Sequence, residues 1–296
     1  MSQSAVTPLS YSVVVLYYRL GLEFKETLSS LLLQTTSPTE VIVVDNASND
    51  GVLRIISKDF GQIRFVTAPS NLGYAGGMNF GYSELSADVE FVLFMTHEVD
   101  MDRSCVETML SETQLYPLAS QLGPVLERTG TREVWSSGGQ LQRNGGVSHR
   151  TIGEPLKTTA WLDGACTLIR TSAFETVGGW DTRFYLYWED VDISLRLSEI
   201  GPVQCVPGAT ARQETGTAPV YFAIRNRILL WKIRKSRANL VMSLFHALAQ
   251  LVVKDRFGAT PMRRVIARAR IRGLIDGFSG RLSKDQFHVR ELEAKP

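Results

Sequence analysis

The sequence is poor in cysteine, in internal repeats and in long uninterrupted hydrophobic runs. Its three cysteines, Cys105, Cys166 and Cys205, have no CxxC spacing. This excludes a disulfide framework or a cysteine-based zinc site and is typical of proteins from a reducing cytoplasm. Because a charged segment followed by an apolar one is lacking at the N-terminus, we expect no signal peptide. The most apolar stretch, residues 238–253, is interrupted by polar side chains and falls short of a membrane span.

Charge is distributed unevenly along the chain. Residues 226–296 contain 16 Lys and Arg against 5 Asp and Glu, whereas residues 1–225 contain 16 against 25. We therefore predict a globular domain over residues 1–225 and a basic amphipathic helical region over 226–296. Such helices can bind an anionic membrane surface, and the alternatives are a homo-oligomer interface or packing on the first domain. Nucleic acid is not an expected partner, because no recognition module accompanies the charge.

Strand and helix patterns alternate over the first hundred residues. Buried-strand patterns occur at Tyr11–Tyr18, Glu40–Val44, Ile63–Thr67 and Phe91–Met95, and a later one occurs at Cys166–Arg170. Helical spacing occurs at Lys25–Gln34, at Val52–Phe60, from Asn71 onward, after Trp188 and from Tyr221 onward. Gly and Ser between Trp135 and Gly146 indicate loops or a hairpin. This order predicts an α/β fold with a mostly parallel central sheet flanked by helices.

Acidic residues follow several of these strands. Asp45 ends the second one, and Thr96-His97-Glu98 follows the fourth. Side chains past the carboxyl ends of parallel strands converge on one crevice, and hard divalent cations prefer oxygen ligands there. Glu98 is therefore the candidate metal ligand. Asp45 either accepts a hydrogen bond from a nucleotide base or closes its own Asx turn.

Two further segments carry candidate functional residues. Asn71–Asn79 contains three glycines at a predicted helix start, which suits an anion but is also common in proteins that bind none. Glu189, Asp190 and Asp192 begin another predicted helix, where the helix dipole alone favours acids. The aromatic residues before them are not explained by the dipole. An aromatic ring beside a carboxylate suits a sugar face and a general base.

Six motifs occur in the order and spacing seen in glycosyltransferase family 2: SVVVLYYR, VIVVDNASNDG, NLGYAGGMNFG, WLDGACTLIR, GGWDTRFYLYWEDVDISLRL and Arg225-Asn226-Arg227. Over roughly residues 10–230 the chain resembles rhamnosyltransferase-like and galactofuranosyltransferase-like members, which build bacterial cell-wall or surface polysaccharides. The resemblance implies the GT-A fold, with a Rossmann-like sheet, and an inverting transfer from a nucleotide-sugar donor.

The resemblance also implies roles for single residues. Asp190 resembles the general base, and Glu98 the ligand of a Mg²⁺ or Mn²⁺ ion. Residues that resemble the donor-nucleotide site are Asp45, Asn46, Asn71, Gly76, Gly77, Asn79 and Arg225, the last near the leaving diphosphate. Residues that resemble the sugar and acceptor pockets are Trp161, Asp163, Trp188, Glu189 and Asp192.

Three positions depart from the family pattern. Tyr18 stands where a polar residue is usual, Thr96-His97-Glu98 has one acid in the metal motif, and Gln213 replaces a frequent His. Metal dependence is therefore open at this point. We predict a cytoplasmic enzyme, at the inner face of the membrane if the basic helices bind there. It would transfer L-rhamnose from dTDP-rhamnose to a saccharide or polyprenyl-linked acceptor. UDP-galactofuranose as donor, or an idle nucleotide-sugar-binding scaffold, are the alternatives.

Overall fold

A computed structural model describes residues 9–151, 159–214, 218–252 and 261–283. The strands are β1 (Tyr11–Tyr17), β2 (Val41–Asp45), β3 (Arg64–Thr67), β4 (Phe91–Thr96), β5 (Asp100–Met101), β6 (Gln121–Arg128), β7 (Val134–Ser136), β8 (Gly139–Leu141), β9 (Val147–His149), β10 (Cys166–Arg170) and β11 (Val203–Gln213). The helices are α1 (Phe24–Leu32), α2 (Val52–Ile56), α3 (Gly73–Ser83), α4 (Cys105–Leu115), α5 (Thr171–Thr176), α6 (Glu189–Leu197), α7 (Val220–Ile233), α8 (Arg237–Gln250) and α9 (Pro261–Ser279).

A mostly parallel sheet forms the centre of the protein, with the strand order β3-β2-β1-β4-β10-β6-β11-β5. β1 is parallel to both β2 and β4, and every residue of β1 is buried. Helices cover both faces of these strands, which is why they read as continuous apolar runs rather than alternating ones. β10 runs antiparallel to β4 and β6. Its amino end therefore lies at the sheet edge where the parallel strands end.

The predicted α/β class is confirmed, and most predicted strands differ from the observed ones by one residue at an end. The predicted helix Val52–Phe60 stops earlier, because α2 ends at Ile56 and a turn follows. The hairpin is formed by β8 and β9. The long strands β6 and β11 were not predicted. Pro124 interrupts the apolar pattern of β6, and a bulge between Val206 and Thr210 interrupts β11.

The C-terminal helices are joined closely to the rest of the chain. Helix α7 crosses position 225/226, so the proposed division into two domains falls inside one helix and stays a prediction. Helix α9 packs on α7 through two glycines one turn apart. A Cβ atom at Gly273 would lie 2.9 Å from the carbonyl oxygen of Tyr221, and one at Gly277 would lie 2.6 Å from that of Arg225. Only glycine allows the backbones to approach this closely.

Helix α8 has two apolar faces. Leu240 and Leu244 pack inward against Ile224 and Ile228 of α7. The outward face exposes further apolar side chains, which are Val241, Met242, Phe245 and Leu248. One face of α8 therefore packs on α7. No helix within the described residues has the length and apolar character needed to cross a membrane.

Replacing Gly277 by alanine tests the close contact between α7 and α9. The added methyl group meets backbone rather than a movable side chain. Overpacking costs about 1–3 kcal/mol, and the better helix propensity of alanine returns up to about 1 kcal/mol. We expect urea denaturation to show a net loss of about 1–2 kcal/mol in unfolding free energy. Gly61→Ala is the control, since its Cβ would meet nothing within 4 Å. Equal stability of the two variants would contradict the contact.

Candidate functional site

The functional residues predicted after strand ends meet at one edge of the sheet. Asp45 is the last residue of β2, and Thr96 is the last residue of β4. The N–H of Thr96 donates to the carbonyl oxygen of Ala165 at 2.9 Å, because β10 begins beside the end of β4. The segment Asp163–Ala165 therefore lies next to the turn that carries Glu98. This is the crevice expected for an open α/β sheet.

Asparagine side chains hold the loop after β2 against the loop that begins α3. The Asn46 side-chain amide donates to Oδ1 of Asn71 at 3.1 Å and to the carbonyl oxygen of Gly73 at 3.0 Å. Its Oδ1 accepts from the N–H of Leu72 at 2.8 Å. Asp45 Oδ1 accepts from the N–H of Ser48 at 2.8 Å, so the Asx-type turn is present. Nucleotide binding by Asp45, Asn46 and Asn71 stays a prediction.

The glycines of α3 are closely packed, with neighbouring atoms in the space that a side chain would take. A Cβ at Gly77 would lie 2.4 Å from Cδ1 of Leu16, and one at Gly76 would lie 2.9 Å from Cβ of Leu72. Asn79 uses both ends of its amide on the backbone of Trp180, at 2.8 and 3.0 Å. These contacts set α3 against β1 and the 178–180 turn. They support the segment structurally, and its binding of a diphosphate stays a prediction.

Three carboxyl groups, of Asp163, Glu189 and Asp190, cluster beside Gly164. A Cβ at Gly164 would lie 3.4 Å from that of Asp190, and the hydroxyl of Tyr74 donates to the Gly164 carbonyl oxygen. Burial raises the pKa of Asp190 to about 7, and the Asp163 carboxylate adds to this increase. Burial also raises the pKa of Asp163 to about 6. A carboxylate with a pKa near neutrality can accept and release a proton at physiological pH.

Glu189 and Asp190 differ in access to solvent. Glu189 is 5% exposed, and its Oε2 has no hydrogen-bond partner. Burial and the adjacent Asp190 carboxylate hold the pKa of Glu189 well above its usual range. Asp190, in contrast, is half-buried. Of the two, Asp190 is therefore the group placed to exchange a proton with a bound molecule.

The aromatic segment before α6 has an unusual backbone. Tyr185, Tyr187 and Trp188 have φ angles of 61°, 65° and 71°, in the left-handed region that non-glycine residues rarely adopt. The side-chain nitrogen of Asn226 lies 2.7–2.9 Å from the carbonyl oxygens of Phe184, Leu186 and Tyr187. Asn226 is fully buried and holds this segment in its strained form.

The segment is also fixed from the other side, by α3. The N–H of Tyr74 donates to the Tyr185 carbonyl oxygen at 2.6 Å, and the Tyr185 hydroxyl donates to Asn71 Oδ1 at 3.0 Å. Gly73 has φ 73°, and a Cβ there would lie 2.3 Å from the Tyr185 carbonyl oxygen. The aromatic segment thereby connects the predicted donor loop to the acidic helix α6.

Several predicted binding residues are buried and already partnered. Asp192 is 1% exposed and pairs with Arg196 at 2.7 Å. Trp161 is 3% exposed and packs on Gly139 and the ring of His149. Arg225 is 1% exposed, and its guanidinium donates to the backbone carbonyl oxygens of Arg183 and Arg281. Their predicted contacts with substrate stay predictions, whereas their observed contacts are structural. Trp188, in contrast, is partly exposed.

The predicted metal ligand supplies one carboxylate. The Glu98 side chain is 39% exposed, and its Oε1 lies 3.7 Å from Nε2 of His97. His97 Nδ1 lies 2.9 Å from the Leu16 carbonyl oxygen. Across the described ranges, no three His, Cys, Asp or Glu side chains are grouped as a metal site. A single carboxylate fits an ion such as Mg²⁺, which is commonly held by one or two carboxylates plus substrate phosphates.

Sequence reasoning gave no role to Tyr74, Asn226 or Arg227. Nothing in the pattern marks Tyr74, whose contact with Gly164 joins segments 90 residues apart. For Arg225 and Arg227 a signal was available. Residues two apart on a helix point to different faces, so the two arginines of the Arg-Asn-Arg motif cannot serve one site. Arg225 faces the core, and Arg227 faces a pocket described below.

Comparison with known proteins places the chain in a family. The sequence description of Glycosyl transferase family 2 matches residues 12–178, more than half of the chain. The chain belongs to glycosyl transferase family 2. It is therefore a glycosyltransferase, as the motifs predicted.

Two relatives of this family 2 enzyme have named activities. N-acetylglucosaminyl-diphospho-decaprenol L-rhamnosyltransferase of Mycobacterium tuberculosis is 29% identical over 218 residues, which are 64% of this chain and 70% of the relative. Low-salt glycan biosynthesis hexosyltransferase Agl10 of Haloferax volcanii is 26% identical over 234 residues, 74% of each chain.

Solved structures confirm the GT-A fold of the family 2 enzyme. GalNAc-T7 with UDP, GalNAc and Mn²⁺ superposes with a TM-score of 0.67 at 11% identity, covering 97% of this chain and 58% of the other. TarS of S. aureus (residues 1–349) gives a TM-score of 0.61 at 16% identity, covering 91% of this chain and 81% of the other. At these identities the similarity shows the fold alone.

Replacing Asn226 by alanine tests the role of its amide. The change leaves three carbonyl oxygens without their shared donor, so we expect a loss of about 1–3 kcal/mol in unfolding free energy. The aromatic segment should relax, and transfer activity should fall by more than the stability loss explains. Urea denaturation and a glycosyl-transfer assay at a temperature where both proteins are folded measure these effects. Gln140→Ala, at an exposed amide on β8, is the control and should match the wild type.

Proposed function

We propose that this enzyme transfers L-rhamnose from dTDP-rhamnose to a polyprenyl-diphosphate-linked saccharide, with inversion at the anomeric carbon. The observation that supports it most directly is Asp190, a half-buried carboxylate with a raised pKa between Asp163 and the partly exposed Trp188. The relative from M. tuberculosis carries the name of a rhamnosyltransferase acting on such a lipid-linked acceptor. The coarser activity, glycosyl transfer, follows from family membership.

Asp190 is the proposed general base. An acceptor hydroxyl oxygen attacks the anomeric carbon while Asp190 takes the hydroxyl proton, and the bond from that carbon to the diphosphate oxygen breaks. Attack from the face opposite the leaving group inverts the configuration. The base must lie within about 2.6–3.2 Å of the hydroxyl. Asp163 raises the pKa of Asp190 and so strengthens it as a base, at the cost of leaving part of it protonated near neutral pH.

The donor nucleotide would bind at the edge formed by β2 and the start of α3. Asp45, Asn46 and Asn71 lie there, fixed by the hydrogen bonds between the two loops. Glu98 would hold a Mg²⁺ or Mn²⁺ ion together with the donor diphosphate. When bound, the ion would neutralise charge on the leaving group. Asp163, beside the end of β4, is placed between this region and Asp190.

The outward face of α8 is the proposed contact with the membrane that carries the acceptor. It exposes Val241, Phe245 and Leu248, and basic residues lie at its amino end and on α9. An amphipathic surface with Lys and Arg beside apolar side chains binds anionic lipid, with each basic residue contributing about 1 kcal/mol. This arrangement would place the enzyme at the cytoplasmic face of the membrane. Sedimentation with phosphatidylglycerol vesicles tests this membrane contact. The wild type should sediment with the vesicles, and Phe245→Asp should not.

A donor panel tests the proposed function. The purified enzyme is incubated with polyprenyl diphospho-N-acetylglucosamine and either dTDP-rhamnose or UDP-galactofuranose, in Mn²⁺, Mg²⁺ or EDTA. We expect transfer from dTDP-rhamnose, lower rates in EDTA, and an inverted product by NMR. Asp190→Asn should lower the rate by about 10²–10⁴-fold because the base is lost. Asp59→Asn, at an exposed ion pair with Lys25, is the matched control and should keep the wild-type rate. Full activity of Asp190→Asn would exclude Asp190 as the base.

The pH dependence of transfer tests the electrostatic part of the proposal. Because Asp190 must be charged to accept a proton, kcat should rise as the pH increases through about 7. Asp163→Asn removes the neighbouring negative charge, so the pKa of Asp190 should fall and the midpoint of the profile should move to lower pH. The rate of this variant is not diagnostic, since Asp163 lies beside the proposed donor site. A midpoint unchanged from that of wild type would show that the two carboxyl groups do not interact.

A further inference from the structure

A second pocket lies beside the catalytic crevice, between α7, α8 and the β8–β9 turn. Its volume is about 280 Å³. The polar or aromatic residues that line it include Asn144, Trp188, Arg227, Ser243, His246 and Gln250. Pockets for drug-sized ligands occupy roughly 300–1,000 Å³, so this one suits a small polar group and not a whole oligosaccharide.

Arg227 supplies the positive charge of this pocket. Its Nε donates to Ser243 Oγ at 3.0 Å, and its Nη2 donates to the carbonyl oxygen of Asn144. Within the described part of the chain, no Asp or Glu oxygen lies within 4.0 Å of Arg227, and Nη1 has no hydrogen-bond acceptor. Burial lowers the pKa of Arg227 to about 10, with no carboxylate opposing the decrease.

Two other partly buried arginines pair with carboxylates, whereas the buried Arg225 donates to backbone carbonyl oxygens. Arg196 pairs with Asp192 at 2.7 Å, and Arg212 pairs with Asp102 at 2.5 Å. A buried charge without a counter-ion is costly, and the cost is removed when an anion binds. Arg227 is therefore arranged for an anionic ligand, and its planar guanidinium suits phosphate oxygens in particular.

The location of the pocket identifies which anion would reach it. Trp188 lines the pocket and stands two residues before Asp190, so the first turn of α6 connects the pocket to the proposed base. The opposite wall is the inward face of α8, through Ser243 and Ala247. The outward face of the same helix exposes Phe245 and Leu248. A ligand here would have its reactive sugar near Asp190 and its apolar part near the exposed side of α8.

We propose that the pocket at Arg227 binds the diphosphate of the lipid-linked acceptor, an inference that rests on the proposed function. The diphosphate lies between the sugar that accepts rhamnose and the polyprenyl chain, as the pocket lies between Asp190 and α8. This site is separate from the proposed donor site at Asp45 and Asn71. Arg227 would set the affinity for the acceptor and would take no part in the chemical step.

Kinetics with two acceptors test this assignment. One acceptor is polyprenyl diphospho-N-acetylglucosamine, and the other is an alkyl N-acetylglucosaminide that lacks the diphosphate. Arg227→Gln should raise KM for the diphosphate acceptor by at least about tenfold, because a charge-assisted hydrogen bond is lost. Its kcat, and the KM for the alkyl N-acetylglucosaminide, should stay unchanged. Arg227→Lys keeps the charge but not the planar guanidinium, so it should restore only part of the affinity. Arg54→Gln, an exposed arginine on α2, is the charge-matched control.

Direct binding gives a readout that does not need turnover. Quenching of tryptophan fluorescence, to which Trp188 contributes, follows farnesyl diphosphate binding while saturating nucleoside diphosphate fills the donor site. Arg227→Gln should weaken this binding by about tenfold or more. Inorganic pyrophosphate should bind more weakly than farnesyl diphosphate. Sedimentation with phosphatidylglycerol vesicles should be the same for Arg227→Gln and wild type.

Several results would overturn the assignment. If Arg227→Gln raised KM equally for both acceptors, Arg227 would only link the β8–β9 turn to α8. If it changed neither KM, Arg227 would not contact the acceptor diphosphate. Pyrophosphate binding as tight as farnesyl diphosphate would indicate a site for a free anion. A loss of vesicle binding alone would indicate a general lipid contact. The wild type could transfer to neither acceptor and still bind farnesyl diphosphate more tightly than Arg227→Gln does. In that case the proposed function fails and the anion site stands.

Discussion

The buried amide of Asn226 fixes the backbone on which the rest of the site depends. Left-handed backbone at a non-glycine residue costs about 1–3 kcal/mol, and three such residues stand in the segment before α6. The hydrogen bonds to Asn226 offset this cost and set the direction in which the chain enters α6. That direction turns Trp188 toward the second pocket and Asp190 toward Gly164. Since Asn226 lies on α7, this helix supports the candidate site even though it lies outside the region matched by the family description.

In the acidic cluster, differences in burial give adjacent carboxyl groups different protonation states. Glu189 is enclosed, so the folded protein favours its neutral form, and this limits repulsion with Asp190. Asp190 is half-buried, and main-chain N–H groups beside its carboxyl group favour the charged form. Asp192 is balanced by Arg196, which also binds the carbonyl oxygens of Val177 and Gly179. Three acids within four positions of one helix thus have three environments. Glu189 and Asp192 are three apart and share a face of the helix, so the groups packed around each one set them apart.

The sequence predicted the parts of this structure that depend on local pattern. Strands buried on both faces read as apolar runs, and their carboxyl ends located Asp45 and Glu98 at one edge of the sheet. It did not predict β6 or β11, whose proline and bulge break the pattern. It also did not predict that Arg225 would be buried against carbonyl oxygens and Asp192 against Arg196. Both the unpredicted strands and the burial of these side chains depend on contacts between segments that are distant in sequence, which a local pattern does not reveal.

The basic C-terminal region shows why charge counts do not define a surface. Arg225 and Arg270 are buried, and Arg227 is partly buried beside the second pocket, so the excess of positive charge is divided between interior and surface. Helix α8 is likewise divided, with Leu244 and Ala247 packed inward and Val241, Phe245 and Leu248 exposed. An apolar helix that only packed on the domain would not need an outward apolar row. A helix that only bound lipid would not need Ser243 and His246 lining a pocket next to Arg227. Both features are accounted for together if α8 lies between the catalytic crevice and an apolar environment, with the acceptor diphosphate held where the two meet.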